Sequence, residues 1–377
     1  MRVNRIHLSP PHMTGTEQSY IAQAFHDNWI APVGPQLSLF ENNVAEFLND
    51  EVYVTALQSG TAAIHLGLKM LGVSKGDEVL CQSLTFIASV NPVLYLGATP
   101  VFVDSEKNTW NICPKSLEIA ILDRLANGIR PKAIIVVHLY GMPAQMNKIL
   151  ALSEKFDIPI LEDTAEAFGS SFKEKLCGTF GAFGTLSFNG NKIITTSGGG
   201  ALISKSVSDK NQIVFLATQA KDKAPHYEHS EIGYNYRMSN ISACIGLGQL
   251  EVLKSHIDLR RKNHRFYQDI FKEIPSVTML VEPNGDFFST HWLSVILLSS
   301  LEQREALRLH LEQYNIESRP VWKPMHLQPL FCKNLYFGND LAEDLFNRGL
   351  CLPSGSNLKA EDLSRIHDAL KDFFYNC

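Results

Sequence analysis

Between about residues 50 and 205, short apolar runs alternate with longer stretches whose apolar side chains recur every third or fourth position. Runs at 78–81, 100–103, 133–137, 158–161, 184–188 and 201–204 predict strands, and periodic stretches at 61–71, 87–96, 114–126 and 146–156 predict helices. Alternation on this spacing predicts an α/β fold with a mostly parallel sheet covered on both faces. In such a sheet, ligands gather at the carboxyl ends of the strands, where the chain turns toward a helix.

Helical patterns follow at 210–220 and 239–261, the second long enough to link two domains. Beyond about 275 the pattern changes to short strands and helices, at 291–298, 302–314 and 361–375, which reads as a smaller α+β domain. A chain of 377 residues is long for one domain. The expected division is a large domain over 14–250 and a small one over 251–377, completed by the N-terminal segment 1–13. No internal repeat, low-complexity tract or Gly/Ser linker interrupts either.

Composition narrows the function classes. Apolar residues make up 45% and charged residues 19%, with a formal net charge of -5, the balance of an ordinary soluble protein. The densest basic run, Arg260-Arg261-Lys262, reads as the solvated face of a helix, so no nucleic-acid partner is expected. No apolar run approaches the roughly 20 residues that span a bilayer, and 1–13 lacks the apolar core of a secretory signal. A cytoplasmic protein with no membrane insertion is expected. Seven cysteines (81, 113, 177, 244, 332, 351 and 377) are scattered and never spaced as CxxC, so free thiols and no metal site are expected. There is no GxGxxG at a strand–helix junction and no GxxxxGK[ST]; Gly178, Gly181 and Gly184 recur at the wrong interval for either.

Five motifs carry candidate chemistry. GTLSFNGNKIITTSGGG (184–200) presents Ser187 and then Lys192 in a polar turn, ahead of glycines that let backbone pass close to a bulky ligand. A lysine in such a turn is ordinarily a solvated surface residue. Held in a buried setting, it can lose its proton and attack an aldehyde. LEDTAEAFG (161–169) puts Asp163 at a strand's carboxyl end, as a helix cap or as a carboxylate that keeps a pyridine nitrogen protonated. QSGTAAIH (58–65) opens a helix whose first N–H groups attract phosphate, although most such turns are simply capped helices. SLTFIAS (83–89) offers Phe86 for ring stacking or for the core, and GYNYRMSN (233–240) offers Asn235 to a phosphate oxygen.

Taken in chain order, as phosphate turn, aromatic, Asp, Ser-x4-Lys and then Gly-x-Asn-x-Arg, the motifs resemble the sugar aminotransferases of the DegT/DnrJ/EryC1/StrS group over essentially the whole chain. The resemblance implies the fold-type I architecture of pyridoxal 5'-phosphate (PLP) transferases, with 14–250 as the cofactor-binding domain. It implies that Lys192 is the Schiff-base lysine and later the proton shuttle, that Asp163 pairs with the pyridinium nitrogen, and that Phe86 stacks on the ring. Glu166 falls near the phenolic oxygen, and Gly60, Thr61 and Ser187 hold the phosphate. Asn235 reaches across from a partner subunit, which implies a homodimer with shared active sites.

One departure is Ser197-Gly-Gly-Gly200, where many members carry Gly-Glu-Gly-Gly. A related branch with histidine in place of the lysine dehydrates sugars, so Lys192 favours transamination. LSPPHM (8–13), 187–200, HYEH (226–229) and RPVWKPMH (319–326) are similar to the aminotransferases of the bacillosamine pathway. Those use L-glutamate to aminate C4 of UDP-4-keto-6-deoxy-N-acetylglucosamine, giving a sugar for bacterial glycoproteins or surface polysaccharides. His226, Arg319, Trp322, Lys323 and His326 are the implied substrate contacts, cations and donors for a diphosphate with an aromatic cover for sugar or uracil. The competing expectations are another nucleotide-linked keto-sugar as acceptor, PLP-dependent sugar dehydration, and a non-catalytic sugar-nucleotide binder.

Overall fold

The computed structural model describes residues 4–48 and 51–375, so the thiol expected at Cys377 lies outside the described residues; the other six cysteines are free. The main sheet has eight strands in the order Tyr53–Leu57, Gly200–Ser204, Phe183–Ser187, Ile160–Asp163, Ala133–Val137, Glu78–Gln82, Thr99–Val103 and Tyr336–Phe337. Only Gly200–Ser204 runs against its neighbours; the other pairings are parallel. All six predicted strands are present. Tyr53–Leu57 and Tyr336–Phe337 were not predicted individually, and the second joins the sheet from far along the chain.

The period of two along each strand divides the core into two layers. Leu80, Val101, Ile134, Val136 and Ile160 pack on Leu117, Ile121, Met146 and Ile149 of the helices Pro114–Ala126 and Met146–Phe156. Val79, Cys81, Ile135, Val137 and Leu161 face the other way, onto Ala63, Ile64 and Leu66 of the helix Gly60–Met70. Each fully buried Val, Leu or Ile contributes about 1.5–3 kcal/mol, which fixes the strand register and hence which residues emerge at the strand ends. Gly67 lets the helix press on the sheet, because a Cβ there would lie 2.7 Å from Leu161 Cδ1.

A second, antiparallel sheet orders Thr278–Met279, Ser294–Leu297, Gly349–Leu352 and Arg319–Pro320. Its core takes Leu307 and Leu311 from the helix Leu301–Gln313, Ile366 and Leu370 from Ala360–Tyr375, and Ile6 from the N-terminal segment. Ile6 bridges Ile316, and the Leu8 carbonyl accepts from Ser354 N–H.

Several expectations change in detail. The stretch 87–96 is a 3-10 turn, Ile87–Ser89, and a short helix, Asn91–Tyr95, because Pro92 cannot donate and opens a new first turn. The helix expected at 210–220 is Val207–Ala217, capped by Ser206 and ended by Gln219 and Ala220 at positive φ. The helix expected at 239–261 breaks at Val252 into Asn240–Glu251 and Leu253–Phe271. Arg260 is not on a solvated face: it is 1% exposed, on the side of that second helix that carries His256, Asn263, His264 and Tyr267 inward.

Candidate active site

The parallel strands end on one side of the sheet, and their carboxyl ends converge on a cavity of about 440 Å³. Asp163 is the last residue of its strand and Ser187 the last of the neighbouring one. Gly60 and Thr61 open the helix after Tyr53–Leu57, with Ser59 accepting from Ala62 N–H as its cap. At a helix start the first N–H groups have no carbonyl one turn back, so those of Gly60 and Thr61 are free to face an anion. Two glycines make this junction possible. A Cβ on Gly200 would collide with the Gly60 nitrogen, and one on Gly60 would lie 3.1 Å from Ser187 Cβ.

Asp163 is buried. Its Oδ2 accepts from Ser89 Oγ at 2.6 Å and its Oδ1 from Ala165 N–H at 3.1 Å. Lys192 sits in the turn closed by its own N–H to the Asn189 carbonyl, and its side chain is only 12% exposed. Its Nζ lies 4.2 Å over the Trp292 ring and 3.7 Å from Glu166 Oε1. Glu166 Oε2 accepts from Tyr140 N–H at 2.7 Å, and Oε1 from Trp322 Nε1 at 3.3 Å. Tyr140 takes the left-handed conformation to deliver that N–H, φ 54°. Burial raises the Glu166 carboxyl, and the Lys192 ammonium opposes the rise.

Of the predicted site residues, Gly60, Thr61, Phe86, Asp163, Glu166, Ser187, Lys192 and Trp322 line this cavity together. Phe86 stands at its rim, half exposed, with its ring 5.2 Å from that of Trp322. A second cavity, of about 650 Å³, shares Asn191, Trp292 and Trp322 with the first and extends past His7, Ser9 and Arg319. Arg319 is exposed there and holds Glu317 Oε1 through Nε and Nη2. Asn235 is not brought to the cavity within this chain; it is exposed, bridged to Thr218. His226 is exposed beside Glu228, and Lys323 is exposed. His326 faces neither cavity. Its Nδ1 lies 2.6 Å from Ser83 Oγ, its Nε2 3.1 Å from Glu343 Oε1, and its ring stacks on Tyr336 at 3.8 Å. Ser89, Tyr140, Asn191 and Trp292 were missed. Ser89 lay inside a quoted motif; Trp292 is 100 residues from Lys192 and had no local signal.

A family model for the DegT/DnrJ/EryC1/StrS aminotransferases matches residues 11–371. The chain belongs to that family. It is 46% identical over 375 residues to EpsN of Bacillus subtilis (strain 168), which carries the name of a pyridoxal phosphate-dependent aminotransferase, covering 98% of this chain and 96% of EpsN. It is 40% identical over 364 residues to the GDP-perosamine synthase of Escherichia coli O157:H7, covering 97% of each. Among solved structures, Spr1654 of Streptococcus pneumoniae, named as a sugar aminotransferase and solved in its PLP form, matches with a TM-score of 0.88 at 26% identity over 98% of each chain. This DegT-family chain is therefore a PLP-dependent sugar aminotransferase of fold type I. The site fits the cofactor: a buried carboxylate, a nearby amine, an aromatic rim and a helix start with free N–H groups suit a protonated pyridine ring bearing an aldehyde and a phosphate. No helix among the described residues is long and apolar enough to cross a membrane.

Proposed function

We propose that the chain moves an amino group from L-glutamate to C4 of a UDP-4-keto-6-deoxy-N-acetylhexosamine, giving UDP-4-amino-4,6-dideoxy-N-acetylglucosamine for bacterial glycan synthesis in the cytoplasm. The observation that carries this reading is the junction of the two cavities at Asn191, Trp292 and Trp322. It lets a sugar carbon approach Lys192 while a diphosphate extends toward Arg319, whose guanidinium suits paired phosphate oxygens.

When bound, PLP supplies an aldehyde that captures the amine and a protonated ring that draws electrons from the carbon losing its proton. Asp163 would hold the proton on the ring nitrogen, and Phe86 would cover a ring face. The N–H groups of Gly60 and Thr61, with Ser187 Oγ, would hold the phosphate, and Glu166 would face the phenolic oxygen. Lys192 Nζ, steadied over Trp292, takes the proton from the glutamate carbon and returns one to the sugar carbon. Asn235 serves the partner subunit's phosphate in a homodimer, in keeping with its exposure here. The same reading divides the chain at 250/251, with 251–377 and 1–13 closing the sugar side; the Ile6 and Leu8 contacts support that grouping.

The test is incubation with glutamate and a panel of UDP- and GDP-linked 4-keto-6-deoxy sugars, with a UDP-linked 3-keto sugar as control. Products are read by mass and NMR, alongside initial rates. A 4-amino UDP-sugar with ping-pong kinetics is expected. Product from the GDP-linked sugars alone, amination at C3, or a deoxy product without nitrogen would sink the substrate assignment.

A further inference from the structure

Arg260 is fully buried on the helix Leu253–Phe271 and makes its hydrogen bonds to neutral oxygens. Nη1 donates to the carbonyls of Trp292 at 2.7 Å and Ser354 at 3.3 Å. Nη2 donates to Ser9 Oγ at 3.0 Å and to the carbonyl of Lys192 at 3.4 Å, while Nε has no partner. Burying a guanidinium costs free energy unless its donors are satisfied. Burial pushes this one down to about 9, which leaves it charged at neutral pH. A charge kept there at such a cost serves the four oxygens it gathers.

Two of those oxygens belong to the residues whose side chains meet in the cavity, Lys192 and Trp292, where Nζ lies 4.2 Å over the indole. A third extends the tie to the second cavity. Ser9 Oγ accepts from Arg260 and donates to the Asn191 carbonyl at 2.8 Å, and that carbonyl also accepts from Trp292 Nε1 at 2.7 Å. One turn earlier on the same helix face, His256 Nδ1 lies 3.3 Å from the Ile193 carbonyl. One turn later, Asn263 donates to the Gly355 carbonyl at 2.9 Å and, at 3.5 Å, to the Ser354 carbonyl that Arg260 also reaches, but makes no bond to the lysine turn.

We propose that Arg260 is a positioning residue for the site: from inside the helix Leu253–Phe271 it fixes the backbone of Lys192 against that of Trp292, and both against the N-terminal segment at Ser9. The proposal rests on Lys192 being the lysine that bonds the cofactor. Its role is geometric. Lysine at 260 keeps the charge but cannot span four oxygens, so the Lys192 amine loses its fixed height over the indole. Misplacement on the scale of 1 Å costs up to about a hundredfold in rate.

The experiment begins with borohydride reduction of the wild-type holoenzyme and mapping of the labelled peptide. A label away from Lys192 would overturn the site reading itself. With the label at Lys192, Arg260→Lys, Ser9→Ala and Asn263→Ala are compared by kcat and KM for the glutamate half-reaction, by visible circular dichroism of the bound cofactor, and by Tm. Arg260→Lys is expected to lower kcat on the order of 10- to 100-fold with little change in KM, and to weaken the dichroism. Ser9→Ala should move both in the same direction by a smaller factor. Asn263→Ala should lower Tm and leave both unchanged. Wild-type kcat and dichroism in Arg260→Lys would overturn the proposal, as would equal loss of dichroism in Asn263→Ala. Where Arg260→Lys does not accumulate as folded protein, Ser9→Ala decides, and an unchanged spectrum and rate there overturn it.

Discussion

Asp163→Asn removes a charge from the cavity while keeping the shape of the side chain. The two donors that reach the carboxylate, Ser89 Oγ at 2.6 Å and Ala165 N–H at 3.1 Å, can both be accommodated by an amide, since the serine hydroxyl can turn to accept. The empty protein should therefore fold as well as wild type. It should be no less stable, because a buried carboxylate carries a desolvation penalty that the amide avoids. The loss falls on the cofactor. A hydrogen bond to a charged partner contributes about 1.5–3 kcal/mol, which at about 1.4 kcal/mol per tenfold is a tenfold to somewhat more than hundredfold weaker hold on a protonated ring. Titration of the apo variant with PLP, followed by absorbance, measures that hold, and stopped-flow mixing with glutamate measures proton removal. An Asp163→Asn protein that binds PLP within two- or threefold of wild type and reacts at the wild-type rate would refute the pairing of this carboxylate with the ring nitrogen.

Gly200→Ala drives a methyl into the Gly60 nitrogen and Ser59 carbonyl; a loss of about 1–3 kcal/mol in stability is expected by chemical unfolding, with weaker phosphate binding from the displaced helix start. Because burial raises the Glu166 carboxyl, the folded chain keeps that proton to higher pH than the unfolded chain. Its stability contribution is whole below the ordinary carboxylate value of 4.5 and is lost as pH rises through the folded value; the apo protein of Glu166→Gln should accordingly lose less stability than wild type over that rise, measured by denaturant titration at successive pH values. His326→Ala and Glu343→Ala, each cutting the link from Ser83 through His326 to Glu343, should share one modest rise in sugar KM with kcat retained, since the link holds the turn that follows Trp322; a much larger effect of His326→Ala alone would return His326 to the role of a substrate ligand.

The sheet was legible because its central strands carry uninterrupted apolar runs, and Ala133–Val137 has no polar residue to misplace. That Gly60, Thr61, Asp163 and Lys192 share one cavity was legible because each lies at a strand's carboxyl end or within a few residues of it, so local order stands in for position in space. Trp292 and Tyr140 escaped for different reasons. Tyr140 follows the main-sheet strand Ala133–Val137 but acts through its backbone N–H on Glu166, which no side-chain motif announces, whereas Trp292 reaches the site only once the second sheet is packed against the first. His326 was misplaced because a histidine after Trp-Lys-Pro-Met resembles a ligand until both ring nitrogens are seen to be engaged. A charged residue's pattern also hides its fate: Arg260, Arg261 and Lys262 are adjacent, but at 100° per residue only the first points inward.

That last case bears on how the two sheets are coupled. The helix Leu253–Phe271 has Tyr267 and Phe271 in the core of the second sheet, and Leu253 and Ile257 in the cluster that reaches Phe188 and Ile193. Arg260 lies between those two groups and bonds to Trp292 and Ser354 on one side and to Lys192 on the other. A shift of the second sheet that moved Trp292 or Ser354 would therefore reach the lysine turn through this guanidinium, and from Trp292 also through the indole N–H bond to the Asn191 carbonyl, without passing through the substrate. The amine's position over the indole is tied to packing outside the cavity, so, if Lys192 bonds the cofactor as proposed, substitutions in the second sheet should alter the cofactor's dichroism before they alter its affinity.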